Sequence, residues 1–258
     1  MDTSSRKTFR KRGKLLKLTG IAGEALLSAG ALMGLFLSWH LVFNDSIQGD
    51  RQNQSAMSLA KEWSANSSIE PIIEPENSIS SHSDDEPPIT ASPPEGQAFA
   101  LLYVPRFGDD YVRSIAEGVD IETVLNSRTL GIGRYLESNQ LGEMGNFAIA
   151  AHRTTWGAAF GDIAELRIGD RIYVEVLEGW HVYQFRNLEY VWETEVDVLN
   201  AFPRMNLDQT DAKVITLTSC HPRFSEAERI IAYGVYEGWY PRKGGSPAEI
   251  TELVKGSS

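Results

Sequence analysis

Val214-Ile215-Thr216-Leu217-Thr218-Ser219-Cys220-His221-Pro222 carries apolar and β-branched residues into small hydroxyl residues and then a cysteine. Such a run reads as a strand, and Pro222, with no N–H for a ladder, helps to end it. The cysteine therefore arrives at the C-terminal end of a strand, a rigid platform from which a nucleophile reaches solvent and substrate. A cysteine kept only for packing would more naturally sit mid-strand on the apolar phase. Outward from this stretch the same character recurs at 99–104, 146–151, 171–176, 182–191, 213–217 and 229–236, each run bounded by turn residues. Helical signals are few and short, at 121–125 and 158–166. Many closely spaced strands with little helix predict an all-β barrel or sandwich of about 140 residues. Its expected bounds are 98–241, with 242–258 as a polar tail.

Of 258 residues, 42% are hydrophobic and 10% aromatic, enough for a core. The net charge of −11 is uneven. Residues 1–17 hold seven basic side chains against Asp2, and the remainder stands near −17, with 17 basic and 34 acidic residues. An acidic body without a basic stripe argues against nucleic acid as a partner. There is one cysteine, Cys220, so no intramolecular disulfide forms. Composition alone leaves it as either an inert core residue or a working thiol.

Residues 18–43 contain no Lys or Arg. In helix, about 26 residues at 1.5 Å each exceed the ~30 Å hydrocarbon core. The basic tail, 1–17, precedes them, which predicts a single-pass anchor with its N-terminus in the cytoplasm and the remainder outside. A cleaved secretory signal is the alternative. The apolar run is longer than an h-region, and no small-x-small site promptly follows it. Residues 44–97 are rich in Ser, Asn, Glu and Pro, with one weak apolar patch near 56–63, and read as a disordered acidic stalk.

A thiol nucleophile needs a partner that takes and returns its proton. His40 falls at the membrane edge and His82 in the stalk. His181 lies within a strand and reads as an exposed sheet residue. His221 adjoins Cys220, but neighbouring strand residues point to opposite faces. His152 ends the strand Asn146-Phe147-Ala148-Ile149-Ala150-Ala151 and opens a loop, so it matches Cys220 in kind. Arg229 starts a strand nine positions after the cysteine, and a hairpin would return its guanidinium towards the sulfur, to hold an oxyanion or clamp a substrate backbone. Its other reading is a surface arginine paired with Glu226 or Glu228.

Thr216-Leu217-Thr218-Ser219-Cys220 resembles the sortase signature Thr-Leu-x-Thr-Cys, with serine in place of the usual threonine. The stretch 141–153 is similar to the sortase segment ending in Gly-His-Arg, with Ala151 where glycine is common. Cys220-His221-Pro222 with Phe224 and Arg229 most resembles class E sortases of high-GC Gram-positive bacteria. The resemblance covers about 98–240 and implies a closed barrel of about eight strands with a few short helices, following a single transmembrane helix. It also implies a cysteine transpeptidase with His152, Cys220 and Arg229 as the catalytic set. Such an enzyme cleaves a C-terminal sorting motif of the Leu-Pro-x-Thr-Gly or Leu-Ala-x-Thr-Gly kind after threonine. It then passes the acyl chain from a thioester to an amine of a peptidoglycan precursor or a pilin lysine. Thr218, Ser219, Arg153 and Pro203 are the residues expected to touch the peptide. Pro203 belongs to the long connection 192–211, expected to wall the groove. No cofactor or metal is expected, because the His and Cys positions lack ligand spacing. The partners expected are the sorting-motif peptide, the amine, and the lipid bilayer through the N-terminal helix.

An L,D-transpeptidase would carry a Ser-His-Gly-Cys kind of run, absent here, and a papain-like protease would place cysteine before histidine. The non-enzymatic alternative is an exported β-domain for adhesion or assembly, with Cys220 as buried packing.

Overall fold

The computed structural model describes residues 3–39, 44–66, 86–206 and 210–256. The chain divides into two units, residues 1–44 and 45–258. In the first, helix α1 (Thr3–Ser38) takes in most of the basic segment and continues through the apolar one. Its part Thr19–Ser38 is, among the described residues, the one helix long and apolar enough to cross a membrane, which suits either an anchor or a signal segment.

The second unit is built on eight strands. They are β1 (Ala98–Tyr103), β2 (Val112–Glu117), β3 (Ile132–Arg134), β4 (Gly145–Ala151), β5 (Arg171–Val176), β6 (Gly179–Trp192), β7 (Lys213–His221) and β8 (Glu228–Pro241). They close into a barrel in the order β1-β2-β3-β4-β7-β8-β6-β5. The expected closed all-β barrel with a few short helices is what the chain forms. Two neighbouring pairs are parallel, β2 with β3 and β4 with β7. Alternation along each strand sends one set of side chains inward. Ile115, Ile132, Phe147, Ile149, Ile215, Leu217, Ile230 and Ala232 belong to the main core.

β2 and β3 lie outside the runs that the sequence singles out as strands. Each carries a charge on the inward phase, Glu117 beside Ile115 and Arg134 beside Ile132, and both charges are buried. They neutralise each other through Arg134 Nη2–Glu117 Oε1 (2.5 Å) and Nε–Oε2 (3.0 Å). Pairing removes the cost of burying either one alone and conceals the strand pattern. His181 is also a correction: it is fully buried, with its ring 4.7 Å from that of Trp239.

The expected disordered stalk differs most. Residues 44–66 form helix α2 (Asn44–Asn66), which buries Gln48, Gln52, Asn53, Ala56 and Ala60 along one side. Ala56, Ala60 and the partly buried Trp63 join a second apolar cluster with Leu101, Tyr103, Tyr173 and Trp180. That buried face is made of Gln, Asn and Ala, so the apolar periodicity that normally marks a packed helix is weak. Residues 86–97 also lie along the barrel. Pro87 is buried, and the Thr90 N–H donates to the Leu141 carbonyl (2.9 Å). Residues 40–43 of the expected anchor and 67–85 of the expected stalk lie outside the described residues. The expected polar tail is packed in part: Ile250 is fully buried in the second cluster, followed by helix α3 (Thr251–Gly256).

Candidate active site

β4 and β7 run parallel in register from Gly145↔Lys213 to Ala150↔Thr218. Two residues further along each strand come His152 and Cys220, so both emerge at one rim on chains about 4.8 Å apart. β8 runs antiparallel on the other side of β7 and begins at that rim, with Arg229 directly opposite Cys220. Opposite residues on adjacent strands share a face. Cys220 is on the phase of Thr216 and Thr218, away from Ile215 and Leu217 in the core. It is half-buried, unlike a packing residue. A cleft of about 670 Å³ is lined by His152, Cys220 and Arg229 together with Asn126, Tyr135 and Thr218.

The imidazole of His152 is held from outside the strand. Its Nε2 lies 2.9 Å from Asn126 Oδ1. With the amide oxygen accepting, Nε2 carries the proton and Nδ1 is left as the base. Burial lowers the His152 pKa below the ordinary imidazole value, and the charges of Asp45 and Glu226 partly oppose this. The ring is thereby kept neutral and ready to accept a proton near neutral pH.

The Arg229 guanidinium is oriented by donation from Nη1 to the carbonyls of Glu226 (2.7 Å) and Glu228 (3.0 Å), and Nη2 lies 3.4 Å from Glu193 Oε2. Two backbone carbonyls and one carboxylate from the β6–β7 connection therefore aim its planar head, which still lines the cleft. Next to the cysteine, Thr218 Oγ1 bonds the hydroxyl of Tyr135 (2.9 Å), just past β3, and Ser219 Oγ donates to the Ala151 carbonyl (2.7 Å), tying β7 to β4. Burial raises the Tyr135 pKa, opposed by the Thr218 hydrogen bond and the charge of Arg229, so this hydroxyl stays protonated.

Of the other residues expected to touch peptide, Thr218 and Ser219 line the cleft, whereas Pro203 does not. Pro203 sits in a turn closed by the Phe202↔Met205 bridge, and the neighbouring Arg204 gathers Glu189, Glu195 and Asp197 on its guanidinium. Arg153 reaches the cleft wall, but its Nη1 is directed to His221 Nδ1 (2.5 Å). His221 also lies against Tyr190, with ring centroids 4.3 Å apart and the planes tilted by 48°, and does not line the cleft. Asn126 and Tyr135 were not legible as site residues. One follows a single-turn helix (Ile121–Leu125) and the other follows β3, and neither carries a motif. Among the described residues no group of three or more His, Cys, Asp and Glu side chains suits a metal ion.

A family model described as Sortase domain matches residues 102–237, more than half of the chain. The chain belongs to the sortase family. Sortase SrtE1 of Streptomyces coelicolor is 31% identical over 244 residues, covering 92% of this chain and 62% of the relative. This sortase thus spans 62% of that relative's length. Among solved structures, the SrtA sortase from Actinomyces oris superposes with a TM-score of 0.60 at 32% identity, over 66% of this chain and 96% of that one. Sortase E1 from S. coelicolor, solved with a tripeptide in its active site, gives a TM-score of 0.55 at 33% identity, over 62% and 99%. SrtE1, similar in both sequence and structure, bears out the class E resemblance of this sortase.

Proposed function

We propose that this sortase is a single-pass membrane transpeptidase with its barrel outside the cell, acting on exported proteins that carry a C-terminal sorting motif. In this reading Cys220 is the nucleophile, His152 the acid–base partner and Arg229 the oxyanion and backbone clamp. The supporting observation is the common rim of β4, β7 and β8, with all three side chains on one cleft. A peptide substrate fits the family and the tripeptide seen in the active site of sortase E1 from S. coelicolor. The apolar part of α1, Thr19–Ser38, follows the basic part of the same helix, which suits an anchor with its N-terminus inside.

The chemistry follows from this assignment. Neutral His152 takes the Cys220 thiol proton as the sulfur attacks the carbonyl carbon of the Thr–Gly peptide bond, and the tetrahedral oxygen takes negative charge facing the Arg229 guanidinium. Protonated His152 gives its proton to the glycine nitrogen as the C–N bond breaks, leaving a thioester and a free amine. An incoming amine attacks the thioester carbonyl and loses its proton to His152. Collapse breaks the S–C bond, the departing sulfur takes the proton back from His152, and an amide forms with the thiol and the neutral ring regenerated. The bond count is conserved, which is why no energy source or cofactor is required.

A panel of motif peptides with proline or alanine at the second position, incubated with and without an added primary amine, tests this reading. Cleavage after threonine and an amine-dependent ligation product are expected. Loss of both is expected in Cys220→Ala, with the wild-type circular dichroism spectrum kept. Full activity in Cys220→Ala, or no cleavage of any motif peptide by the unaltered chain, would refute the proposal.

A further inference from the structure

The residues that hold His152 are themselves held by α2, the segment ahead of the barrel. Gln52 is fully buried, and its Nε2 donates to two carbonyls, Ser127 O (2.9 Å) and Trp156 O (3.0 Å). Two carbonyl partners define which end of the amide is the nitrogen. Ser127 directly follows Asn126, whose side chain accepts from His152, and Trp156 lies in the loop that His152 opens. One amide group therefore bridges the segment carrying the partner of the imidazole and the segment carrying the imidazole. The fit allows no slack. A Cβ at Gly131 would stand 2.5 Å from Gln52 Nε2, and one at Gly157 would stand 2.6 Å from Gln52 Oε1. Both glycines also have positive φ, +96° and +84°, which glycine alone adopts without strain. A second contact from α2 joins the same loop, where the Thr155 N–H donates to Asp45 Oδ2 (2.9 Å).

We infer that Gln52 is a positioning residue for the reaction, fixing the tautomer and direction of the His152 ring through the Asn126 and Trp156 segments. The active site would then be completed from outside the eight strands, by the helix that precedes them. The inference rests on the acid–base role given to His152 above.

A full-length chain in detergent micelles, assayed with a fluorogenic motif peptide, tests it. Gln52→Met keeps an unbranched helix-forming side chain of similar length and removes both donated bonds. A loss of about tenfold or more in kcat with KM nearly unchanged is expected, because a misdirected base affects the chemical step rather than peptide binding. The acid limb of kcat/KM should also move, and the ¹⁵N signals of the His152 ring should pass from one Nε2–H tautomer to a mixture. Asn126→Ala combined with Gln52→Met should lose less than the product of the two single losses, since part of the Gln52 effect passes through the Asn126 hydrogen bond. Wild-type kcat, pH profile and ring spectrum in folded Gln52→Met would overturn the inference, as would strict additivity. If Gln52→Met does not fold, the unaltered chain decides. Its Gln52 side-chain amide protons should exchange slowly and its His152 ring should show a single tautomer, and rapid exchange with mixed tautomers overturns the inference. Should the unaltered chain cleave peptide and Cys220→Ala not, a null result at Gln52 counts against this inference alone. If Cys220→Ala cleaves normally, the catalytic reading beneath it fails instead.

Discussion

Replacing His181 with leucine should remove a large part of the acid sensitivity of the fold. His181 is fully buried beside Trp239 and Tyr236, and neither ring nitrogen has a hydrogen-bond partner among the described residues. Burial, with a contribution from the Lys213 charge, pushes its pKa down to about 3. In the unfolded chain the same ring titrates near the ordinary value of about 6.5. Between these values the unfolded state binds a proton that the native state refuses, so stability falls as pH drops below about 6.5 and stops falling only near the native pKa. Each pH unit in that window removes about 1.4 kcal/mol, so between pH 8 and pH 5 His181 removes about 2 kcal/mol. The figure at pH 5 depends on the unfolded pKa and hardly changes if the native one is moved by a unit. Urea unfolding followed by tryptophan fluorescence, at pH 8 and pH 5, gives the quantity for both chains. His181→Leu shifts stability at both pH values through packing, but that offset cancels in the difference of differences, as do the other titrating groups. The wild type should lose about 2 kcal/mol more than His181→Leu on acidification. Parallel losses in the two chains would refute the argument.

Arg134→Met should cost roughly 3–5 kcal/mol, because it leaves the buried Glu117 carboxylate without its partner; adding Glu117→Gln should restore much of the loss, as chemical denaturation would report. Arg229→Lys should lower kcat/KM by about tenfold or more in the motif-peptide assay, since an ammonium cannot keep the bonds to Glu226 and Glu228 while facing the cleft with a planar fork. Wild-type rates in that variant would remove Arg229 from the mechanism. Asp45→Asn should move the acid limb of kcat/KM to lower pH, because the Asp45 charge raises the His152 pKa against the stronger lowering by burial. An unmoved limb would contradict that electrostatic coupling.

Six of the eight strands were legible because their side chains follow the period-2 rule with β-branched and aromatic residues. The other two, β2 and β3, depend on a long-range event, the burial of Glu117 against Arg134, which no local window displays. The same cause hid α2. Its inward face is Gln52, Asn53, Ala56 and Ala60, and the glutamine and asparagine become core residues only because loop carbonyls and N–H groups are waiting for them. His181 reads as an exposed residue for an equivalent reason, since a polar ring gives no local sign that aromatic neighbours will enclose it.

The sequence by itself determined the chemistry available to this protein: one thiol at a strand end, one histidine at another, an arginine at the start of a third, and the order that marks a sortase. Those are properties of single residues and short periodic runs. Tertiary structure alone decided that β4 and β7 pair in parallel with matched ends, that Asn126 holds the imidazole, and that α2 reaches across to brace both. Register, barrel closure and shared hydrogen bonds between distant segments are relations among many residues at once, set by the best packing of the whole chain rather than by any one stretch of it.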